Sequence, residues 1–135
     1  MSEEKIKHLE FIQDVITRMN QNSFQMKGWM VAIVSTLLAL YANTTNAALV
    51  LVAIFPALVF WFLDSYYLWQ ERKFRGLYND VAGVSEKPKE IKLFAMRIDL
   101  YSGGNFDYRR VLFSKTIASL YLPVMVILLV IYFVR

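Results

Sequence analysis

Three uncharged apolar blocks govern what this chain can fold into. The first reads GWMVAIVSTLLALYA from Gly28 to Ala42, the second runs from Ala47 to Leu63, and the third from Thr116 to Val134 between Lys115 and Arg135. A helix needs about 20 residues to cross a ~30 Å hydrocarbon core. The first block falls short of that, so its helix is predicted to begin near Phe24, with Lys27 snorkelling toward the headgroups. The second continues into Tyr66, Tyr67 and Trp69. The chain is 57% hydrophobic and 19% charged, and its charges gather between the blocks. That segregation fits a bilayer protein better than an oversized soluble core. The expected fold is an all-α integral membrane protein. It has a cytoplasmic amphipathic helix over 1–23, a transmembrane hairpin of spans 24–42 and 47–70, a cytoplasmic loop with a helical extension over 71–115, and a third span over 116–134.

Basic residues give the orientation. Four Lys or Arg precede the first apolar block, none lies between spans one and two, and ten lie from Arg72 to Lys115. By the positive-inside rule the N-terminus and long loop are expected in the cytoplasm, with the hairpin tip and C-terminus outside. The same rule accounts for the net charge of +4 without nucleic acid. Before the first span lies a long amphipathic segment with four acidic residues, unlike the short basic start of a secretory signal. The link Asn43-Thr44-Thr45-Asn46 is polar and turn-forming, which makes the first two spans a tight hairpin.

On the cytoplasmic side, Ser2 suits a helix N-cap, with Glu3 and Glu4 favourable in the first turn. Ile6, Leu9, Ile12, Ile16 and Met19 then recur at helical spacing, forming one apolar stripe. The stripe predicts packing on the rest of the protein. Its balanced charge argues against a helix lying on the bilayer surface. Phe74, Leu77, Tyr78 and Val81 carry the helical pattern of span two on to about Gly83. Residues 85–88 and 102–105 read as turns. Residues 91–101 fit a strand or a helix equally. Arg109, Arg110 and Lys115 precede the third span and are expected near anionic lipid headgroups.

Within the spans two faces stand out. Gly28, Ala32, Ser35, Ala39 and Ala42 repeat at four, three, four, three, a heptad seam of small residues that Gln25 and Gln21 extend. Lipid gives helices no hydrophobic drive to associate, so close backbone approach and hydrogen bonds must supply it. The seam therefore predicts a packing face and a homo-oligomer. In span two Ala53, Ala57, Phe60, Asp64, Tyr67 and Glu71 keep the same rhythm. Asp64 thus shares a face with Ala53 and Ala57, and an intramembrane carboxylate normally faces protein or water. Lys27 lies at the same end of the hairpin and is its first candidate partner. The pair is read as a buried polar or gating group, against a simply hydrated interfacial Asp. Pro56 and Pro123 lie inside spans and permit kinks.

Other chemistry is missing. There are no cysteines and one histidine, His8, so neither thiol chemistry nor a His pair for a metal is available. No phosphate loop, nucleophile motif or paired intramembrane carboxylate occurs. The expectation is a protein without catalytic residues, metal or cofactor.

The runs HLEFIQDVITRMNQNSF from His8, KGW from Lys27 and LDSYYLWQERKFRGLY from Leu63 resemble a family of small bacterial membrane proteins. Their layout up to about Val81 is similar to the SLATT class, which has a cytoplasmic helix, a membrane hairpin and a helical extension. The third span departs from that plan. The resemblance implies a membrane effector of anti-phage or nucleotide-signalling systems that breaches the inner membrane. Two functions are therefore expected. One is an oligomeric inner-membrane effector or pore in contact with lipid. The other is a non-conducting anchor or regulatory subunit that holds a soluble cytoplasmic partner through the 72–115 loop.

Overall fold

A computed structural model describes residues 2–85, 88–103 and 106–134, and every regular element in them is helical. The order is α1 (Glu3–Thr44), α2 (Ala48–Ala82), a short 3-10 turn (Ile98–Leu100), α3 (Tyr108–Leu112) and α4 (Lys115–Val134). Three of these helices, α1, α2 and α4, are long and apolar enough to cross a membrane.

The amphipathic segment and the first apolar block form one unbroken helix of 42 residues, rather than the two elements expected with a division near residue 23. At 1.5 Å per residue it is about 63 Å long. The segment Asn20–Phe24 holds residues that commonly end helices by bonding their own backbone. Here those side chains are engaged elsewhere. Asn20 Nδ2 donates to Glu71 Oε1 at 3.3 Å, and Ser23 Oγ donates to Asp64. With its polar groups bound across the hairpin, the segment has no competing use for them and stays helical. The helix starts where Ser2 Oγ accepts from the Lys5 N–H at 3.2 Å. It stops at Thr45, which takes left-handed geometry at φ 53° and donates its N–H to Tyr41 O. One residue on, Asn46 Oδ1 accepts from the Ala48 N–H at 3.1 Å and starts α2.

Helix α2 returns antiparallel along α1 and ends at Gly83, whose φ of 75° is readily reached only without a Cβ. Pro56 and Pro123 lie inside α2 and α4. The hairpin carries two apolar cores. One joins Met30 and Val34 of α1, Val50, Ala53 and Ala57 of α2, Val111 of α3, and Ile117, Tyr121 and Leu128 of α4. The other joins Ile12 and Ile16 to Leu77, Val81 and Tyr101. The amphipathic stripe of α1 thus packs on the far half of α2 and on the loop beyond it.

That loop is neither of the two alternatives expected for 91–101. It turns at Leu93–Phe94 and then forms the 3-10 turn. Its apolar residues Ile91, Ile98 and Leu100 fold onto the second core as separate points of contact. Phe94 has φ 61°, uncommon for a bulky side chain, and its ring stands 5.8 Å from those of His8 and Phe11. Within the turns expected at 85–88 and 102–105, residues 86, 87, 104 and 105 lie outside the described residues.

Candidate functional site

Between the two apolar cores lies a polar layer, and Asp64 is its centre. The residue is fully buried. Lys27 Nζ stands 2.6 Å from its Oδ2, and Tyr121 OH donates to the same oxygen at 3.0 Å. Ser23 Oγ donates to Oδ1. Lys27 Nζ also donates to Ser23 Oγ at 3.0 Å. Three helices thus meet on one carboxylate: α1 through Ser23 and Lys27, α2 through Asp64, and α4 through Tyr121. Trp61, one turn before Asp64, stacks on Tyr121 with ring centroids 6.2 Å apart and planes inclined by 9°.

Local periodicity explains the convergence. Ser23 and Lys27 are four residues apart, so they lie on one face of α1. Continuing that face reaches Met30 and Val34, both buried against α2. Asp64 follows Ala53 and Ala57 on one face of α2, and all three are fully buried. Tyr121 lies six residues into α4, about 9 Å from its start. The pairing of Lys27 with Asp64 is a geometry the sequence suggested. Ser23 and Tyr121 are additions from the tertiary structure. Ser23 was legible only as the residue one turn before Lys27. Tyr121 was legible only as one of two phenols in the third apolar block, each of which needs a hydrogen-bond partner when buried.

A second polar rung lies two turns further along α2. Glu71 is buried, accepts from Asn20, and takes Arg75 Nη2 at 2.8 Å. Beyond it, in the outer half of the hairpin, Asp80 accepts from Ser85 Oγ at 2.6 Å and from Tyr101 OH. Burial works to raise the Asp80 carboxyl. The hydrogen bonds from Ser85 and Tyr101, with the charge of Lys89, outweigh it and hold the group below its ordinary value. The Tyr101 phenol is pushed well above its ordinary value by burial and by the same carboxylate. His8 is buried, with Nε2 2.8 Å from Ala95 O, and so ties α1 to the loop.

The small residues divide into two groups. Ala53 and Ala57 are fully buried and let the helices of one chain approach closely. Gly28, Ala32, Ser35, Ala39 and Ala42 are all exposed, and a Cβ placed on Gly28 would meet nothing within 4 Å. The α1 seam is therefore largely open in a single chain, with Ser35 alone among its residues lining the crevice beside α4. Helix α4 rests on α2 and leaves a crevice of about 140 Å³ against α1, lined by Val34, Ser35, Val124 and Leu128 among others.

Arg109, Arg110 and Lys115 are exposed. They lie on and just after the short helix α3 and are not among the partners of Asp64. Three ring donors fasten that segment to α2. Trp61 Nε1 donates to Leu112 O at 3.0 Å, Trp69 Nε1 to Phe106 O at 2.6 Å, and Tyr108 OH to Phe62 O at 2.7 Å.

Among the described residues no group of three His, Asp or Glu side chains could hold a metal ion. The Asp64 carboxylate has all three of its neighbours donating to it, an arrangement suited to holding helices together. Comparison with protein-family models, curated proteins and solved structures finds no match to this chain.

Proposed function

We propose that this chain is a three-span inner-membrane protein whose copies associate through α1 and act by perturbing membrane integrity. The observation that carries the reading is the exposed seam Gly28, Ala32, Ser35, Ala39, Ala42. It is a packing surface by composition and spacing, and in a single chain all five residues are exposed. The buried residues of α1, among them Met30 and Val34, lie on another face, so association would leave the Lys27–Asp64 pair in place. The N-terminus and the 71–115 segment would face the cytoplasm and the C-terminus the outside, because the ten basic residues lie in that segment. The SLATT-like layout supplies the class of action, an effector in anti-phage defence. Each chain offers few polar groups to a water path, so a leak would form between copies.

The test combines assembly with leakage. Ala32→Leu with Ala39→Leu places two bulky side chains on the seam. The double variant is expected to shift the protein to smaller species in native mass spectrometry and to abolish dye entry into expressing cells. An unchanged mass distribution refutes the seam. Wild-type assembly without dye entry or depolarisation refutes the leak.

A second reading has its own observation. In the outer half of the hairpin an open cleft is lined by Phe11, Val15, Arg18, Phe94 and Met96, with Phe11 and Phe94 both about half exposed. A non-conducting anchor would hold a soluble partner there. Phe94→Ser would then release the partner without changing assembly in the membrane.

A further inference from the structure

We propose that residues 106–115 form a docking ledge for the phosphate headgroups of anionic phospholipids. The inference rests on the membrane reading above and adds to the expected headgroup contact of Arg109, Arg110 and Lys115 the fixed segment that presents them and the preference it would confer.

Geometry and charge carry it together. The hydrogen bonds from Trp61, Trp69 and Tyr108 fix the ledge beside residues 61–69, where the apolar run of α2 gives way to its charged half. Val111 is buried in the same core as Met30, Ile117 and Tyr121, so α3 belongs to the apolar half of the molecule. On its outer side Arg109, Arg110 and Lys115 are exposed, and none of the ion pairs among the described residues involves them. Between Arg110 and Lys115 in the chain stands Phe113, 66% exposed, and Phe62, whose carbonyl takes the Tyr108 hydroxyl, is 51% exposed. A row of unpaired cations bordering exposed aromatic rings matches a bilayer interface, where phosphates lie a few ångströms above acyl chains. A soluble acidic partner would match the cations and leave the rings in water. The ring-to-carbonyl bonds supply what a mobile basic loop lacks, a fixed height for the charges relative to the apolar helices.

The test uses the full chain in nanodiscs of phosphatidylcholine alone or with added phosphatidylglycerol, with retained lipid counted by native mass spectrometry. Wild type is expected to retain phosphatidylglycerol in preference. A basic residue near an anionic surface contributes about five-fold in binding, so Arg109→Gln with Arg110→Gln should lower the preference by roughly 25-fold. Arg109→Lys with Arg110→Lys should keep most of it. Lys7→Gln with Lys92→Gln removes the same charge from exposed positions far along the chain and should leave the preference intact. Equal retention of both lipids by wild type overturns the ledge, as does an equal loss in the Lys7/Lys92 variant. Failure of the protein to float with vesicles of either composition overturns the membrane reading itself, which separates the two failures.

Discussion

Neutralising Asp64 is the sharpest perturbation of this structure. In Asp64→Asn the Lys27 ammonium loses its counter-charge. The new amide NH2 must also face Ser23, Lys27 or Tyr121, all of which donate to the carboxylate in the native site. Removing one partner of a buried ion pair costs about 3–5 kcal/mol. The Asp64 side chain is wholly inaccessible, but that of Lys27 is 21% exposed. Water can therefore still reach the ammonium, which puts the expected loss near the lower end, about 3 kcal/mol. That corresponds to roughly 150-fold in the unfolding equilibrium. Tyr121→Phe removes one hydrogen bond and keeps the ring on Trp61. Interhelical hydrogen bonds in membranes average about 0.6 and reach ~1.7 kcal/mol, so this variant should lose far less. Lys27→Met with Asp64→Leu removes both charges and should recover much of the single-mutant loss, since apolar replacement of a whole buried pair is often close to neutral. The swap Lys27→Asp with Asp64→Lys should recover less, because it puts the longer side chain at the wholly buried position and the shorter one at the partly exposed position. Reversible unfolding in mixed micelles measures all four against wild type. If Asp64→Asn lies within about 1 kcal/mol of wild type, the range of an exposed pair, the buried-lock reasoning is wrong.

Three further outcomes are expected. A Cβ on Gly76 would come within 2.9 Å of Phe106 Cζ and 3.0 Å of Tyr101 Cδ1, so Gly76→Val should loosen the 88–107 segment by about 1–3 kcal/mol, read as faster limited proteolysis there. The Asp80 carboxyl is held below its ordinary value of 3.8. Its contribution is therefore present above that pH and lost as pH falls through the depressed value, so hydrogen-exchange protection over 88–101, relative to the intrinsic rate, should fall at acid pH in wild type and show a flatter pH dependence in Asp80→Asn. Cytoplasmic reporters fused at Gly103 should be active and those fused after Arg135 inactive; activity after Arg135 would refute three spans with the C-terminus outside.

Helical class, the number of long apolar helices and their approximate limits were readable because they depend on local quantities. Runs without charge mark the apolar parts of α1, α2 and α4, and the turn residues Thr45 and Gly83 lie where the sequence stops favouring helix. The shared face of Ala53, Ala57 and Asp64 was readable for the same reason, since α-helical periodicity assigns residues to faces without knowledge of the partner. Nearness of Lys27 to Asp64 followed from the hairpin, whose four-residue link leaves little freedom in how its helices align. The continuity of α1 through residue 23 was not readable, because the polar residues that would ordinarily interrupt it are bound to a helix forty residues away. Nor was the role of Tyr121, which depends on how α4 settles against α2. The 91–101 segment was undecidable because its apolar residues satisfy neither period throughout; their places were decided by where Ile12, Ile16 and Leu77 offered apolar surface. Tertiary structure also divided the two small-residue stripes. Spacing and composition made them alike, and only packing decided that Ala53 and Ala57 are used within the chain while Gly28 to Ala42 are left facing outward, because α2 can bury one face of α1 and the face carrying Met30 and Val34 excludes more apolar surface.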